Sequence, residues 1–266
     1  MNIFELILSL KGYPIQRARK TLELIKTNVI DDIESYQEKA KWKIFYHHAK
    51  NNYLYSQYLR SIKYDNWLDI PVIKKTDIQT TLSNSLSVGY NKNNTHYHNT
   101  SGSTGTPFHF AKDKFCHSLS WAIIIDRYSW HNINNSRDLQ ARFYGIPKTG
   151  FSYYKERIKD LALSRYRFPI FDLSDKKLEE FLQVFKKKPF VYANGYTSSL
   201  VMLARYCIDQ GIIIKNICPT LKLVFPTSEV CDEIDRSVLE RGFGVNVVNE
   251  YGAAELDLLA FEDNDA

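Results

Sequence analysis

Cysteine is scarce and scattered in this sequence: Cys116, Cys207, Cys218 and Cys231 form no Cys-x-x-Cys pair and have no histidine at zinc-finger spacing. A disulfide framework and a structural zinc site are therefore not expected, and a reduced, cytoplasmic setting fits best. Long apolar runs are missing too. No stretch reaches the ~18 uninterrupted apolar residues that a membrane-spanning helix needs. The apolar start from Ile3 to Leu10 contains Glu5 and lacks a basic leader, so it reads as an amphipathic helix packed on the body. Nor does charge of one sign dominate. A formal net charge of +5 over 266 residues, not gathered into one tract, gives no footprint for nucleic acid and suggests anionic small molecules at most. The one basic run, Lys186-Lys187-Lys188, ends a helical pattern just before Pro189, where it complements the negative end of a helix dipole.

What is present is 44% hydrophobic sequence, enough to bury a core in one large domain or two unequal ones. Residues 1–90 read as a helical N-terminal region. Ile15 to Thr27, Ile33 to Lys50 and Tyr53 to Ile62 repeat apolar residues three or four apart. A break at Trp67-Leu68-Asp69-Ile70-Pro71 and a polar stretch from Asn84 to Asn94 follow. Residues 91–266 read as an α/β region. Ser174 is placed as an N-cap before Leu178, Phe181, Leu182 and Phe185, and Phe190 to Ala193 reads as a strand. Asn194-Gly195 reads as a turn, Ser198 or Ser199 as the start of a helix that Gly211 stops, and Leu221 to Phe225 as another strand. A last helix around Ile234, Val238 and Leu239 should end near Gly242, before a strand from Val245 to Val248. The expected class is α/β: a helical layer followed by a largely parallel, helix-covered sheet with ligands at the carboxyl ends of its strands.

The densest chemical signal is Thr100-Ser101-Gly102-Ser103-Thr104-Gly105-Thr106-Pro107. Two glycines and five hydroxyl side chains allow backbone N–H and hydroxyl groups to close on phosphate oxygens. The same composition also suits a hairpin turn or a flexible linker. Its flanks, Tyr97-His98-Asn99 and Phe108-His109-Phe110, read as strand-like arms. No lysine follows Gly105, which excludes a Walker-type P-loop, and no Gly-x-Gly-x-x-Gly stands between a strand and a helix. His96, His98, His109 and His117 crowd around the loop without an acidic or cysteine partner at metal spacing, so they read as structural polar residues.

With its neighbours, this loop resembles the phosphate-binding loop of the adenylate-forming (acyl-CoA synthetase-like) superfamily. A second block, Asn249-Glu250-Tyr251-Gly252-Ala253-Ala254-Glu255, is similar to that superfamily's Tyr-Gly-x-x-Glu motif. Pro226-Thr227-Ser228-Glu229 resembles the loop flanking the adenine. Leu68 to Asp77 resembles the stretch before the phosphate loop in phenylacetate-CoA ligase-like proteins and their capsular-polysaccharide-biosynthesis relatives, a branch that often shares a residue such as Phe108 in place of lysine. The matched blocks span about residues 68 to 255.

The resemblance implies activation of a carboxylic acid by ATP and Mg²⁺ as an acyl-adenylate, with transfer to CoA or another acceptor. It implies that Thr100, Ser101, Gly102, Ser103, Thr104, Gly105 and Thr106 hold the phosphates. Ser228, Glu229, Asn249, Glu250, Tyr251 and Gly252 would line the nucleotide pocket, and Glu255 would bind the metal. Thr104 and Glu255 are the candidate catalytic residues. Taken singly, Glu229 also reads as a helix-start acid and Glu255 as a solvated one. Tyr144-Gly145 and Tyr192 to Tyr196 are candidates for the acyl pocket, or core. The resemblance also implies an Asp for the ribose and a smaller C-terminal lid domain with a lysine. Neither has a counterpart here, so the chain is expected to be truncated, with a partner chain as one possible source of the missing part. A non-catalytic nucleotide-binding or partner-binding module is the alternative.

Overall fold

The computed structural model describes residues 3–28, 32–60, 62–78, 82–100, 107–145 and 151–263. It divides into a unit of Leu8–Ala122 and a second of Met1–Ile7 with Ile123–Ala266. The Ser101 to Thr106 part of the glycine-rich loop lies outside the described residues.

The chain starts with α1 (Ile3–Leu10), α2 (Ile15–Asn28), α3 (Ile33–Asn51) and α4 (Tyr53–Leu59), close to the periods read from the sequence. In α2 the buried residues Ile15, Ala18 and Leu22 recur at helical spacing and set its inner face. Asp32 caps α3 by accepting from the Ser35 N–H at 3.3 Å. Asn52 ends α3 and starts α4: its side-chain oxygen accepts from the Tyr55 N–H at 3.1 Å and its amide donates to the Ser85 carbonyl at 2.8 Å. Buried Phe45 lies within 4.8–6.1 Å, ring to ring, of Trp42, Tyr55, Tyr64 and Trp67, an edge-to-face cluster. Two single turns, α5 (Lys75–Ile78) and α6 (Leu82–Ser85), lead to an antiparallel pair, β1 (Thr95–Asn99) and β2 (His109–Asp113). The two strand-like arms expected around the loop are this pair, with Asn99 opposite His109. Helix α7 (Lys114–Trp130) follows, and the division between the units falls within it.

The remaining elements alternate strand and helix. They are β3 (Gln140–Phe143), α8 (Phe151–Ala162), β4 (Arg165–Phe168), α9 (Asp175–Lys187), β5 (Tyr192–Tyr196), α10 (Thr197–Asp209), α11 (Ile214–Ile217), β6 (Leu223–Thr227), α12 (Glu233–Phe243) and β7 (Asn246–Val247). The five strands form one parallel sheet in the order β4-β3-β5-β6-β7. An antiparallel hairpin, β8 (Glu250–Ala253) and β9 (Asp257–Phe261), follows β7. Among the described residues no helix is long and apolar enough to cross a membrane.

The sheet's core side is aromatic. Phe143, Phe168, Phe181, Phe185 and Phe190 are all buried, with Phe143 and Phe168 stacked at 4.7 Å. Leu178, Phe181, Leu182 and Phe185 supply the buried stripe of α9 as their spacing predicts, although the Ser174 side chain makes no capping bond. Two readings change. Asn194-Gly195 is not a turn but lies inside β5, where Gly195 pairs with Phe143. A Cβ there would stand 2.4 Å from the Phe143 Cβ, so glycine serves close strand packing rather than chain reversal. And α10 starts at Thr197, before Ser198 and Ser199, with Tyr196 at its N-cap position and no side-chain bond from that residue.

The same logic applies at Gly242, in the last turn of α12. An added methyl group would meet the Cα, Cβ and carbonyl oxygen of Ala204 in α10, each at 2.7 Å. Helix propensity alone favours alanine by roughly 0.5–1 kcal/mol, but forcing a carbon into a packed contact costs ~1–3 kcal/mol. Gly242→Ala is therefore expected to lose about 1–2 kcal/mol, read as a lower urea midpoint at unchanged m-value. A more stable variant would show that α10 and α12 separate at little cost.

Candidate functional site

Strand order places the chain's reversal of direction between β3 and β5: from β3 the chain steps outward to β4, then returns to the other side of β3 as β5. In open α/β sheets, the crevice outside the strand carboxyl ends at such a point is the usual ligand site. Here Arg142 and Asn194 are register partners across the two strands, and the Arg142 Nη1 donates to Asn194 Oδ1 at 3.4 Å. Phe143 and Ala193 belong to the apolar core, so alternation turns Arg142 and Asn194 to the other face. On that face Tyr192, Phe225, Tyr128 and Ile133 make a second buried cluster.

Glu250 lies at the start of β8, partly buried and held by neutral donors. The Tyr128 hydroxyl donates to its Oε2 at 2.9 Å, and the Asn194 amide donates to its Oε1 at 3.1 Å and to the Phe225 carbonyl at 3.1 Å. The Thr227 side chain lies close to the same carboxyl group. Asn194 thus bridges a guanidinium on its oxygen and a carboxylate on its nitrogen. The Arg142 guanidinium carbon sits 4.0 Å from the centroid of the Tyr144 ring, within cation–π range. Tyr144 in turn lies close to the Ser228 side chain and packs 5.0 Å from the Tyr196 ring. Desolvation pushes the Tyr144 phenol above its ordinary value, with Arg142 opposing the shift. Burial raises the Tyr128 phenol further, reinforced by the neighbouring Glu250 charge.

The residues named from the sequence fall in three places. Thr100, in the unit Leu8–Ala122, extends the β1–β2 pairing: its N–H donates to the Phe108 carbonyl at 3.0 Å and its hydroxyl oxygen accepts from the Phe108 N–H at 2.9 Å. Ser228, Glu229, Asn249 and Glu250 follow the adjacent strands β6 and β7. Ser228 has φ +67°, a left-handed kink that ends β6. The Glu229 carboxylate accepts from the Ser198 N–H at 2.7 Å in the first turn of α10, and its carbonyl accepts from the Thr197 hydroxyl at 3.2 Å. Asn249 is pinned by Glu262, whose carboxylate accepts from its N–H at 2.7 Å and from Arg236 Nη2 of α12 at 2.6 and 2.7 Å. Tyr251 and Gly252 are exposed along β8, and Glu255 is exposed in the turn between β8 and β9.

Arg142 and Tyr128 were not singled out from sequence. The available signal for Arg142 was its place among Gln140, Ala141 and Phe143, where polar and apolar residues alternate as in a strand with two different faces. Tyr128 gave none, being one aromatic residue in a helix 122 positions from its partner.

No family profile matches the chain, and no curated protein matches it. Among solved structures it is similar to 2-hydroxyisobutyryl-CoA ligase in several states. An open conformation in complex with 2-HIB-AMP and CoA gives a TM-score of 0.58 at 16% identity over 81% of this chain and 52% of that one. The complex with 2-HIB-AMP and CoA in the thioesterification state gives 0.59 at 17% identity over 84% and 50%. The postadenylation state with 2-HIB-AMP gives 0.56 at 16% identity over 81% and 47%. The chain spans about half the length of these ligases. At such identity the likeness establishes the fold: a parallel sheet flanked by helices, as in part of an adenylate-forming enzyme.

Burial at the strand ends raises the Glu250 carboxyl above its ordinary 4.5, while the Thr227 side chain, the bonds from Tyr128 and Asn194 and the charge of Arg142 pull the other way. A raised carboxyl binds more protons folded than unfolded across that interval, so its contribution is fully present below the unfolded value and is lost as pH rises through the folded one. Glu250→Gln is expected to remove this dependence. Its stability relative to the parent should improve as pH increases through the carboxyl range and then level off, as followed by urea unfolding between pH 4 and 8. A constant difference at every pH would show that Glu250 titrates normally.

Proposed function

We propose that this chain, built on a fold shared with part of the adenylate-forming CoA ligases, binds ATP with Mg²⁺ and activates a carboxylic acid as its acyl-adenylate, for transfer to CoA or another acceptor. The observation that supports this most directly is the meeting of two separate sequence motifs. Ser228-Glu229 and Asn249-Glu250 lie 20 residues apart in sequence, yet they leave neighbouring parallel strands beside the β3/β5 reversal point.

In this reading a carboxylate oxygen of the acid attacks the α-phosphorus of ATP, forming the mixed anhydride as the bond to pyrophosphate breaks. Charge grows on the phosphate oxygens during that step, so fixed donors and a cation stabilise it. The hydroxyls of Thr100, Ser101, Ser103, Thr104 and Thr106 and the backbones of Gly102 and Gly105 are assigned to the phosphates. Exposed Tyr251 offers its ring to the adenine, and Ser228, Glu229, Asn249, Glu250 and Gly252 line the pocket. Glu255 fits a Mg²⁺ ligand: it is an exposed carboxylate with no hydrogen-bond or ion-pair partner among the described residues. Mg²⁺ commonly takes one or two carboxylates together with substrate phosphates. The cation would neutralise phosphate charge there. Glu229 would act indirectly, since its carboxylate already caps α10.

The stretch from Leu68 to Asp77 and Phe108 lead us to favour the phenylacetate-CoA ligase-like branch and, within it, a role in surface polysaccharide biosynthesis. A reduced, cytoplasmic setting goes with that role. We further propose that residues 91–266 carry the nucleotide-handling part, and that a partner chain supplies the ribose contact and the lid lysine.

Calorimetric titration with ATP and Mg²⁺ tests the nucleotide site. Binding should weaken by about tenfold, the scale of one charge-assisted contact, in Glu255→Ala and in the double variant Ser103→Ala, Thr104→Ala. No binding to a folded parent chain would overturn the reading in favour of a non-catalytic, partner-binding module. Acid-dependent release of pyrophosphate tests turnover separately.

A further inference from the structure

The Arg142 guanidinium is short of partners for a charged group at the end of a sheet. Its Nε is buried and makes no hydrogen bond, and its one hydrogen bond within the described residues is the 3.4 Å contact from Nη1 to Asn194. No carboxylate of a described residue lies within ion-pair distance of it. The neighbouring strand shows the contrast. Arg167, its register partner in β4, places Nε and Nη2 on Asp160 at 2.9 and 2.7 Å and reaches Glu156 at 3.2 Å. Glu250, linked to Arg142 through Asn194, already has its oxygens on Tyr128 and Asn194.

Arg142 is also held still while part of it stays open to solvent. The Tyr144 ring lies against it at 4.0 Å, and Asn194 cannot turn its amide over without losing its bonds to Glu250 and Phe225. A planar, pre-oriented fork with unfilled donors at the reversal point of a parallel sheet is a receptor for a planar two-oxygen anion. On the proposed assignment the phosphates have their donors in the Thr100–Thr106 loop, whereas Arg142 meets the ring of Tyr144, itself packed on Tyr196, and the amide of Asn194.

We propose that Arg142 reads a second carboxylate on the acid substrate, so that the chain selects dicarboxylic acids over monocarboxylic ones. This rests on the adenylation reading for the fate of the first carboxylate. The recognition of the second depends only on Arg142, Tyr144 and Asn194. Asn194 is the positioning residue, and Arg142 is the group that touches the ligand.

The test uses the whole chain and calorimetric titration with malonate, succinate and glutarate, their monocarboxylate counterparts propionate, butyrate and valerate, and inorganic phosphate, each with and without ATP and Mg²⁺. At least one dicarboxylate should bind about tenfold more tightly than its monocarboxylate counterpart. That preference should vanish in Arg142→Gln and shrink in Arg142→Lys, which keeps the charge without the fork. If Arg142→Gln does not fold, the lysine variant alone decides. Equal binding of the two acid classes, a preference that survives both substitutions, or phosphate binding as tightly as the best dicarboxylate would each overturn the proposal. ATP binding without dicarboxylate selectivity removes this inference and leaves the adenylation reading standing. Arg142-dependent dicarboxylate binding without ATP binding does the reverse.

Discussion

Alternation along two neighbouring strands governs what this sheet can do. In β3 the order Gln140, Ala141, Arg142, Phe143 sends alanine and phenylalanine into the aromatic core and sends the polar pair to the opposite face. In β5, Tyr192, Ala193 and Asn194 repeat the pattern in register. The apolar side is stabilised by packed phenylalanines, and that stability lets the other side carry an arginine, an amide and, from β8, a carboxylate at one end. A one-residue slip in β3 would bury Arg142 among Phe168, Phe181 and Phe185, which the desolvation of a guanidinium forbids, and one in β5 would bury the Asn194 amide there. Core packing and site geometry are therefore specified by the same register.

The polar groups at the strand ends hold each other in place more than they neutralise each other. Glu250 is fixed by a phenol and an amide, and Arg142 by an aromatic face and the same amide. Such a network keeps charge available, because neutral donors orient an ion without cancelling it. Glu262 provides the outer anchor. It ties the backbone of Asn249 to Arg236 of α12, while its own carbonyl takes a bond from His131 at 2.9 Å. The link from β7 into β8 is thereby fastened from two sides.

Much of the architecture could be read from local pattern. Helix α2 and the stripe of α9 show because each buries one face at a period of 3.6, a signal carried within a dozen residues. The parallel sheet follows from the alternation of strand and helix. Gly195 was misread because a glycine needed for close packing against Phe143 has the same local signature, Asn-Gly, as one needed for a turn. The site was partly legible. Residues contiguous in a motif, such as Asn249 to Gly252, announce themselves. Arg142 and Tyr128 depend on pairings 52 and 122 positions apart, and no window of sequence contains both ends of either contact.

The β8–β9 hairpin is hydrogen-bonded as a sheet of its own and carries Tyr251, Gly252 and Glu255, whereas Arg142 and Asn194 stand on the five-stranded sheet. On the proposed assignments, the ring offered to the adenine and the metal's carboxylate stand on the hairpin while the acid-facing arginine stands on the sheet, and the Glu250–Asn194 bond joins the two. Exchanges at Arg142, Tyr144 or Tyr196 could then retune which acid is taken while the hairpin keeps its shape, so a lineage built on this scaffold can change its diet without relearning how to hold ATP.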